Sequence, residues 1–233
     1  MSGGVRVKGG GRWTPRRSPP GLASGDLRGE SAPMPDYILE HRLLSDGARL
    51  IAGVDEVGRG PLAGPVVAAA VILDPHRIPE GLNDSKALSA ARRDALAAEL
   101  HATAQVAIAE ASVDEIDDIN ILRASHLAMC RALRALPRMP GHALIDGNMI
   151  PRDCPCPATA VIKGDARSVS IAAASIVAKV YRDRLMVDLA QHHPGYGWEK
   201  NAGYATKTHR DALETLGVTP HHRRSFRTVH NIL

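Results

Sequence analysis

Residues 50–65 read Leu-Ile-Ala-Gly-Val-Asp-Glu-Val-Gly-Arg-Gly-Pro-Leu-Ala-Gly-Pro. The apolar run 50–54 predicts a strand, and two adjacent carboxylates, Asp55 and Glu56, follow it. Neighbouring side chains on a strand point to opposite faces, so the two acids share a site only where the strand bends or ends. Gly58 and Gly60, which flank Arg59 just after the pair, supply that bend. Two carboxylates beside a basic loop suit a divalent metal that holds a phosphate; the alternative is an acidic pair that solvates a strand end.

Strand-like and helix-like segments fill the rest of the chain. Four further strands are predicted at 66–73, 105–112, 143–147 and 158–162. Helices are predicted at 37–44, 89–101, 114–136, 168–191 and 209–216. We expect residues 83–86 to form a turn that caps the next helix, and residues 193–208 to form a loop. This order indicates an α/β or mixed layered domain.

Three of the predicted strands end in carboxylates: Asp55 with Glu56, then Asp146, then Asp165. A buried acid is costly unless it is paired or bound to metal, and neighbouring strand ends would bring these acids together. Taken singly, Asp146 or Asp165 is better interpreted as a turn residue. As a set, the four suit two divalent ions about 3.5–4 Å apart. Ligands that are all oxygen favour Mg²⁺ or Mn²⁺ over zinc.

Residues 53–66 match the pattern G-x-D-E-x-G-R-G-x-L-x-G-P-V, and the segment closely resembles the signature of ribonuclease HII, the type 2 ribonuclease H family. Ile145-Asp146-Gly147-Asn148 resembles the motif of that family's third acid. Lys163-Gly164-Asp165, with the small-residue helix that follows, resembles the motif of the fourth. The resemblance extends from Ile51 to Phe226.

The resemblance implies a ribonuclease H-like fold, in which helices flank a mixed central sheet and the C-terminal part is mostly helical. It implies that Asp55, Glu56, Asp146 and Asp165 are the catalytic tetrad and bind two divalent ions, Mg²⁺ or Mn²⁺. The implied activity is cleavage of the RNA strand of RNA–DNA hybrids, and cleavage 5′ of single ribonucleotides in duplex DNA. The products would carry 3′-hydroxyl and 5′-phosphate ends, which suits ribonucleotide removal and degradation of primer RNA.

The resemblance also implies a set of substrate contacts. Gly58, Arg59 and Gly60 match the family loop that reads the 2′-hydroxyl, largely through backbone groups. Tyr204 matches the family tyrosine that packs on the sugar after the ribonucleotide; alone, it would be interpreted as a partly buried loop residue. Further expected phosphate contacts, each equally compatible with a surface role, are Lys86, Lys163, Ser175 and Lys207. The residues that we expect to hold the duplex backbone are His209, Arg223 and Arg224.

Length and composition agree with one catalytic domain. The 233 residues carry a formal charge of +4 and a pI near 9.1, a mild pointer to an anionic partner. Residues 1–36 are rich in Gly, Pro, Ser and Arg, which predicts a disordered tail. We expect residues 37–233 to form the catalytic domain, including a helical C-terminal region at about 193–233. Three cysteines without paired C-x-x-C sets, no membrane-length apolar run and no secretory signal predict a cytoplasmic protein with no membrane partner. We expect a monomer, although the sequence does not decide the oligomeric state. The alternatives are the sister family ribonuclease HIII and a non-catalytic nucleic-acid-binding module.

Overall fold

A mixed five-stranded sheet forms the centre of the computed structural model, which describes Met1, Gly3 and residues 34–233. Its strands are β1 (Ile51–Val57), β2 (Val66–Ile72), β3 (Gln105–Ala111), β4 (His142–Asp146) and β5 (Ala158–Val161). The order across the sheet is β3-β2-β1-β4-β5. The β1–β2 and β2–β3 pairs are antiparallel, whereas β1–β4 and β4–β5 are parallel. Strands β1, β4 and β5 therefore end at the same edge of the sheet.

Eight helices surround the sheet within the described part of the chain. They are α1 (Ile38–Ser45), α2 (Ala90–Thr103), α3 (Val113–Ile119), α4 (Ile121–Ala135), α5 (Val169–His192), α6 (Trp198–Asn201), α7 (Lys207–Leu216) and α8 (Arg227–His230). Helix α4 covers one face of the sheet, and α2 and α5 cover the other. The expected mixed sheet with flanking helices and a helical C-terminal part is confirmed. No helix of residues 34–233 has the length and apolar character needed to cross a membrane.

Strand β2 shows why both faces are covered. All seven of its residues are buried, and none is polar. Alternate residues, from Val66 to Ile72, pack in the cluster with α4, and the others, from Val67 to Val71, pack in the cluster with α2 and α5. The central three are alanines, so the helices approach the sheet closely on both sides.

Gly53 in the middle of β1 marks the closest approach between α5 and the sheet. A Cβ at this position would overlap the backbone carbonyl of Ser170 at the start of α5. We expect Gly53→Ala to lower the free energy of unfolding by about 3 kcal/mol, because two backbones would have to separate. Urea denaturation measures this change. A loss below about 0.5 kcal/mol, the range of ordinary surface substitutions, would show that α5 shifts freely.

The predicted 114–136 helix is wrong as a single element, because the structure has two helices there. Asn120 separates them: its φ of 68° cannot continue a helix, and its side chain accepts hydrogen bonds from Leu122 and Arg123 N–H. Residues 83–86 do not cap α2; Ser89 does, by accepting from Arg92 N–H. The predicted loop at 193–208 contains the short helix α6.

The first described segment is tied to the start of α5. Asp36 pairs with Ser168 in an isolated parallel bridge, and its side chain accepts from Ile38 N–H at 3.0 Å. The fully buried Glu40 accepts from the Ser168 hydroxyl and from Ser170 N–H. Apart from Met1, Gly3 and residues 34–36, the predicted disordered tail lies outside the described residues.

Candidate active site

Four carboxylates lie at the shared edge where β1, β4 and β5 end. Asp55 and Glu56 are at the end of β1, and the register pairs Val54 with Ile145, so Asp146 ends β4 at the same height. Asp165 lies in the 3₁₀ turn Gly164–Ala166 that follows β5. All four acids line one cavity of about 340 Å³, which we call the catalytic cavity. The sheet topology brings together acids that are up to 110 positions apart in the sequence.

Protein donors hold three of the carboxylates in place. The Asp55 Oδ1 atom accepts from Glu56 N–H at 2.7 Å, and Asp146 Oδ1 accepts from Gly164 N–H at 2.7 Å. Glu56 Oε1 accepts from Arg59 Nη1 at 3.1 Å. Asp55 is only 7% exposed, so its charge is largely removed from water.

Burial and mutual repulsion act on the first two acids. Burial raises the pKa of Asp55 well above its ordinary value, and the charges of Glu56 and Asp146 raise it further, while a hydrogen bond from Ser175 opposes the shift. Burial also raises the pKa of Glu56, against the hydrogen bond and charge of Arg59. The cavity therefore gathers more negative charge than its surroundings neutralise.

Asp165 shows the same effect at the other side of the cavity. Burial raises its pKa, the charges of Asp146 and Asp84 add to the shift, and Lys86 lowers it. A divalent cation would relieve this crowding, and a donor set made only of carboxylate oxygens suits Mg²⁺ or Mn²⁺. The acids would have to rotate toward a common centre, because no three His, Cys, Asp or Glu side chains of residues 34–233 stand close enough together to chelate a metal as placed.

The loop of Gly58, Arg59 and Gly60 leaves β1 and forms one wall of the catalytic cavity. Its carbonyl groups face the interior: the buried Arg223 donates to the carbonyls of Gly58 at 2.6 Å and Arg59 at 3.0 Å. Arg182, also buried, lies directly beneath Gly58, whose φ of 93° and lack of a Cβ permit the approach. In the described part of the chain, the Arg59 and Gly60 N–H groups have no acceptor, which leaves them available to a ligand.

Tyr204 stands opposite the loop. Its side chain is 46% exposed, and Cε1 lies 3.3 Å from the position that a Cβ on Gly60 would occupy. The backbone around it is fixed, because Leu62 N–H donates to the Gly203 carbonyl at 2.8 Å and the Tyr204 carbonyl contacts His209 Nδ1 at 3.0 Å. The backbone at Tyr204 is thus fixed, while its ring stays partly open to solvent.

The other expected phosphate contacts are divided between the cavity and the surface. Lys86 and Ser175 line the cavity, and the Ser175 hydroxyl lies 2.9 Å from that of Ser85. Lys163 is exposed, in a left-handed turn, and is not among the cavity's lining residues. Lys207 is exposed on α7 and pairs with Asp211.

The interpretation of His209 and Arg223 as duplex contacts was wrong, because both side chains are fully buried. His209 Nε2 accepts from the Trp198 ring N–H at 3.0 Å and lies 3.0 Å from His222 Nε2. The guanidinium of Arg223 binds backbone carbonyls, as described above. Arg224 is exposed.

Sequence reasoning missed Ser85 and Lys179, which also line the catalytic cavity. Lys179 lies one turn after Ser175 on α5, and its Nζ contacts Asp183 Oδ1 at 2.7 Å. The spacing of four residues was a usable signal, because it places both side chains on the same helix face. Ser85 gave no comparable signal.

Comparisons with known proteins agree with this geometry. The profile of the family Ribonuclease HII matches residues 52–229. A ribonuclease HII from Ruegeria pomeroyi is 71% identical over 213 residues, which cover 91% of this chain and 90% of that protein. A ribonuclease HII from Paracoccus denitrificans is 67% identical over 199 residues, which cover 85% of this chain and 95% of that protein. The crystal structure of ribonuclease H2 from Pyrococcus horikoshii is 28% identical, with a TM-score of 0.68, over 79% of this chain and 97% of that one.

Proposed function

Because the chain belongs to the ribonuclease HII family, whose members are endonucleases acting on the RNA of RNA–DNA hybrids, we propose that Asp55, Glu56, Asp146 and Asp165 bind two divalent ions, Mg²⁺ or Mn²⁺, at the scissile phosphate. The observation that carries the proposal is the convergence of the four carboxylates in one cavity, beside a loop whose Arg59 and Gly60 N–H groups have no acceptor among residues 34–233. Bound ions would activate water and neutralise charge that develops on the phosphate.

The chain's own residues position the substrate for this reaction. Lys86 and Lys179 line the cavity, and cationic side chains at this place suit contact with phosphates on either side of the cleaved bond. The four carboxylates would hold the cations, and the cations would attract the negatively charged scissile phosphate. Cleavage leaves a 3′-hydroxyl on one fragment and a 5′-phosphate on the other.

Recognition of a single ribonucleotide requires a group that reads its 2′-hydroxyl, since this alone separates RNA from DNA at one position. We assign this reading to the N–H groups of Arg59 and Gly60, and packing on the adjacent sugar to Tyr204. Glycine at 60 permits the close approach, because its missing Cβ leaves room between the backbone and the tyrosine ring. The enzyme would then cut 5′ of a lone ribonucleotide in duplex DNA and take part in ribonucleotide removal and primer degradation.

The test is cleavage of a labelled DNA duplex that holds one ribonucleotide, with Mg²⁺, with Mn²⁺ and with chelator. A metal-dependent cut 5′ of the ribonucleotide is expected. Cleavage of long hybrids without cleavage at the single ribonucleotide would contradict the assigned 2′-hydroxyl reading. Equal cleavage in chelator would contradict the metal assignment.

Arg59→Ala is expected to have a mild effect. The Arg59 side chain is 49% exposed and pairs with Glu56, while its carbonyl is held independently by Arg223. If recognition uses the backbone, losing this ion pair, of which only the Arg59 half is exposed, should lower kcat/KM by about tenfold or less. Steady-state kinetics on the single-ribonucleotide duplex measure this. A loss as complete as that from removing a catalytic carboxylate would show that the side chain itself contacts the reacting groups.

A further inference from the structure

A second cavity, of about 510 Å³, opens between α4 and the loop that follows β4. Three arginines line it, Arg123 and Arg134 from α4 and Arg152 from the loop, together with His126 and Asp153. We call it the arginine cavity. Three guanidinium groups around one cavity point to an anionic ligand.

The positive charge in this cavity is largely uncompensated. Arg123 and Arg152 are exposed, and no carboxylate of residues 34–233 pairs with either within 4 Å. Arg134 is held in place, since its Nη2 donates to the Asp153 carbonyl at 2.8 Å. The Asp153 carboxylate is the only acidic side chain among the lining residues, so three positive charges face one negative charge.

The elements that line the arginine cavity begin at the catalytic edge of the sheet. The loop that forms one wall starts directly after Asp146, the end of β4. Strand β3 runs parallel to β1, so it ends at the same edge, and α3 and α4 start from there. The charge of Arg59 reaches His126 and, after burial, is the second cause that lowers the His126 pKa.

Two exposed apolar side chains lie between the two cavities along the chain. Met149 is 48% exposed and Ile150 is 46% exposed, three and four residues after Asp146 and just before the cavity wall. Large exposed apolar groups next to the cavity wall in sequence suit packing against the sugars of a nucleic acid better than they suit water.

We propose that the arginine cavity binds backbone phosphates of the hybrid duplex beyond the cleavage site, so that the duplex runs from the catalytic cavity over Met149 and Ile150 to Arg123 and Arg152. The inference rests on the proposed function and extends it, because it assigns a second anchoring point for the substrate. Phosphate contacts of this kind fix orientation and affinity without reading the sequence or the sugar.

The test compares two double variants that remove equal charge. Arg123→Ala with Arg152→Ala removes the two unpaired arginines, while Arg134 stays because it supports the loop. The control is Arg77→Ala with Arg138→Ala: both residues are exposed, and they lie after β2 and before β4, at the opposite edge of the sheet. None of the four belongs to the catalytic cavity.

Binding of a fluorescent RNA–DNA hybrid is measured by anisotropy in chelator across a range of KCl concentrations. Each lost phosphate contact should reduce the slope of log affinity against log salt by about 0.9, so the test variant should lose about 2 and the control much less. The same loss is expected on an all-DNA duplex, because phosphates are common to both. In cleavage assays the test variant should show a raised KM and an unchanged kcat.

An unchanged salt slope in the test variant, or an equal fall in the control, would overturn the inference. The affinity of a short acidic peptide is measured in the same way. If the slope of log affinity against log salt falls in the test variant for the peptide and not for the duplex, the inference is also overturned, in favour of a protein partner. Failure of the wild-type protein to cut any ribonucleotide-containing duplex is a different result, because it would contradict the proposed function itself.

Discussion

Asp55→Asn is expected to lower kcat by about 10³-fold or more while leaving the fold intact, because it removes the charge of a proposed metal ligand, which would contribute several kcal/mol of transition-state stabilisation. The stability of the variant distinguishes the loss of a catalytic group from a loss of activity through unfolding. The folded state raises the pKa of Asp55 through burial and the charges of Glu56 and Asp146, so at neutral pH the buried carboxylate opposes folding. A neutral amide removes that penalty. The variant should therefore melt at a higher temperature than the wild type in chelator.

Added Mg²⁺ or Mn²⁺ provides a readout that does not depend on activity. Metal that binds the folded state alone raises the melting temperature of the wild type, and this increase should be smaller in Asp55→Asn. Asp188→Asn is the matched control, since Asp188 is an exposed acid on α5 that does not line the catalytic cavity. It should change neither kcat nor the response to metal. Wild-type cleavage by Asp55→Asn would disprove the tetrad assignment.

Arg223→Ala is the second substitution with a large expected effect. The buried guanidinium donates to the carbonyls of Gly58, Arg59 and Gly64, and losing it leaves these acceptors unpaired beside a void. We expect a loss of about 3–5 kcal/mol in the free energy of unfolding. Loosening of the loop that faces the substrate should lower kcat/KM by about 10²-fold at temperatures where the variant is folded. Arg223→Lys should recover only part of this, because an ammonium lacks the planar fork of donors.

Leu213→Ala distinguishes positioning of the loop from general stability. Leu213 is fully buried in the C-terminal cluster with Trp198 and Met186, and its truncation should cost about 2–5 kcal/mol. Its activity when folded should stay near that of the wild type. Equal losses of activity in Leu213→Ala and Arg223→Ala, both measured well below their melting temperatures, would mean that Arg223 has no particular role in holding the loop.

The sequence was sufficient for the sheet and for the acids at its edge. Strands β1, β2 and β4 contain short apolar runs that are buried, and β3 alternates apolar with polar residues, so a local pattern predicts each of them. Asp55 and Asp146 end such runs, Asp165 follows β5 in a short turn, and parallel pairing brings the three together. The long motif around Gly58 to Gly60 identified the family on its own.

Long-range partners were the part that the sequence did not predict. A histidine or an arginine in a basic C-terminal stretch is interpreted as a surface group, because burying a charge without a carboxylate partner is costly. Arg223 and Arg182 avoid that cost by hydrogen-bonding to backbone carbonyls, an environment that local pattern does not reveal. Burial lowers the pKa of Arg223 to about 9 and that of Arg182 to about 10, so both remain charged at neutral pH. The break between α3 and α4 at Asn120 was also not predicted. The positive φ of Asn120 follows from the direction that α4 takes in the fold, which the local sequence pattern does not reveal.

The contact between Arg223 and the Arg59 carbonyl joins residues 164 positions apart. Arg223 is translated after every residue that lines the catalytic cavity. A growing chain that already contains β1, β4 and all four acids has no guanidinium to hold the carbonyls of Gly58 and Arg59. We therefore expect the loop to become ordered only after the segment that carries Arg223 has packed against it.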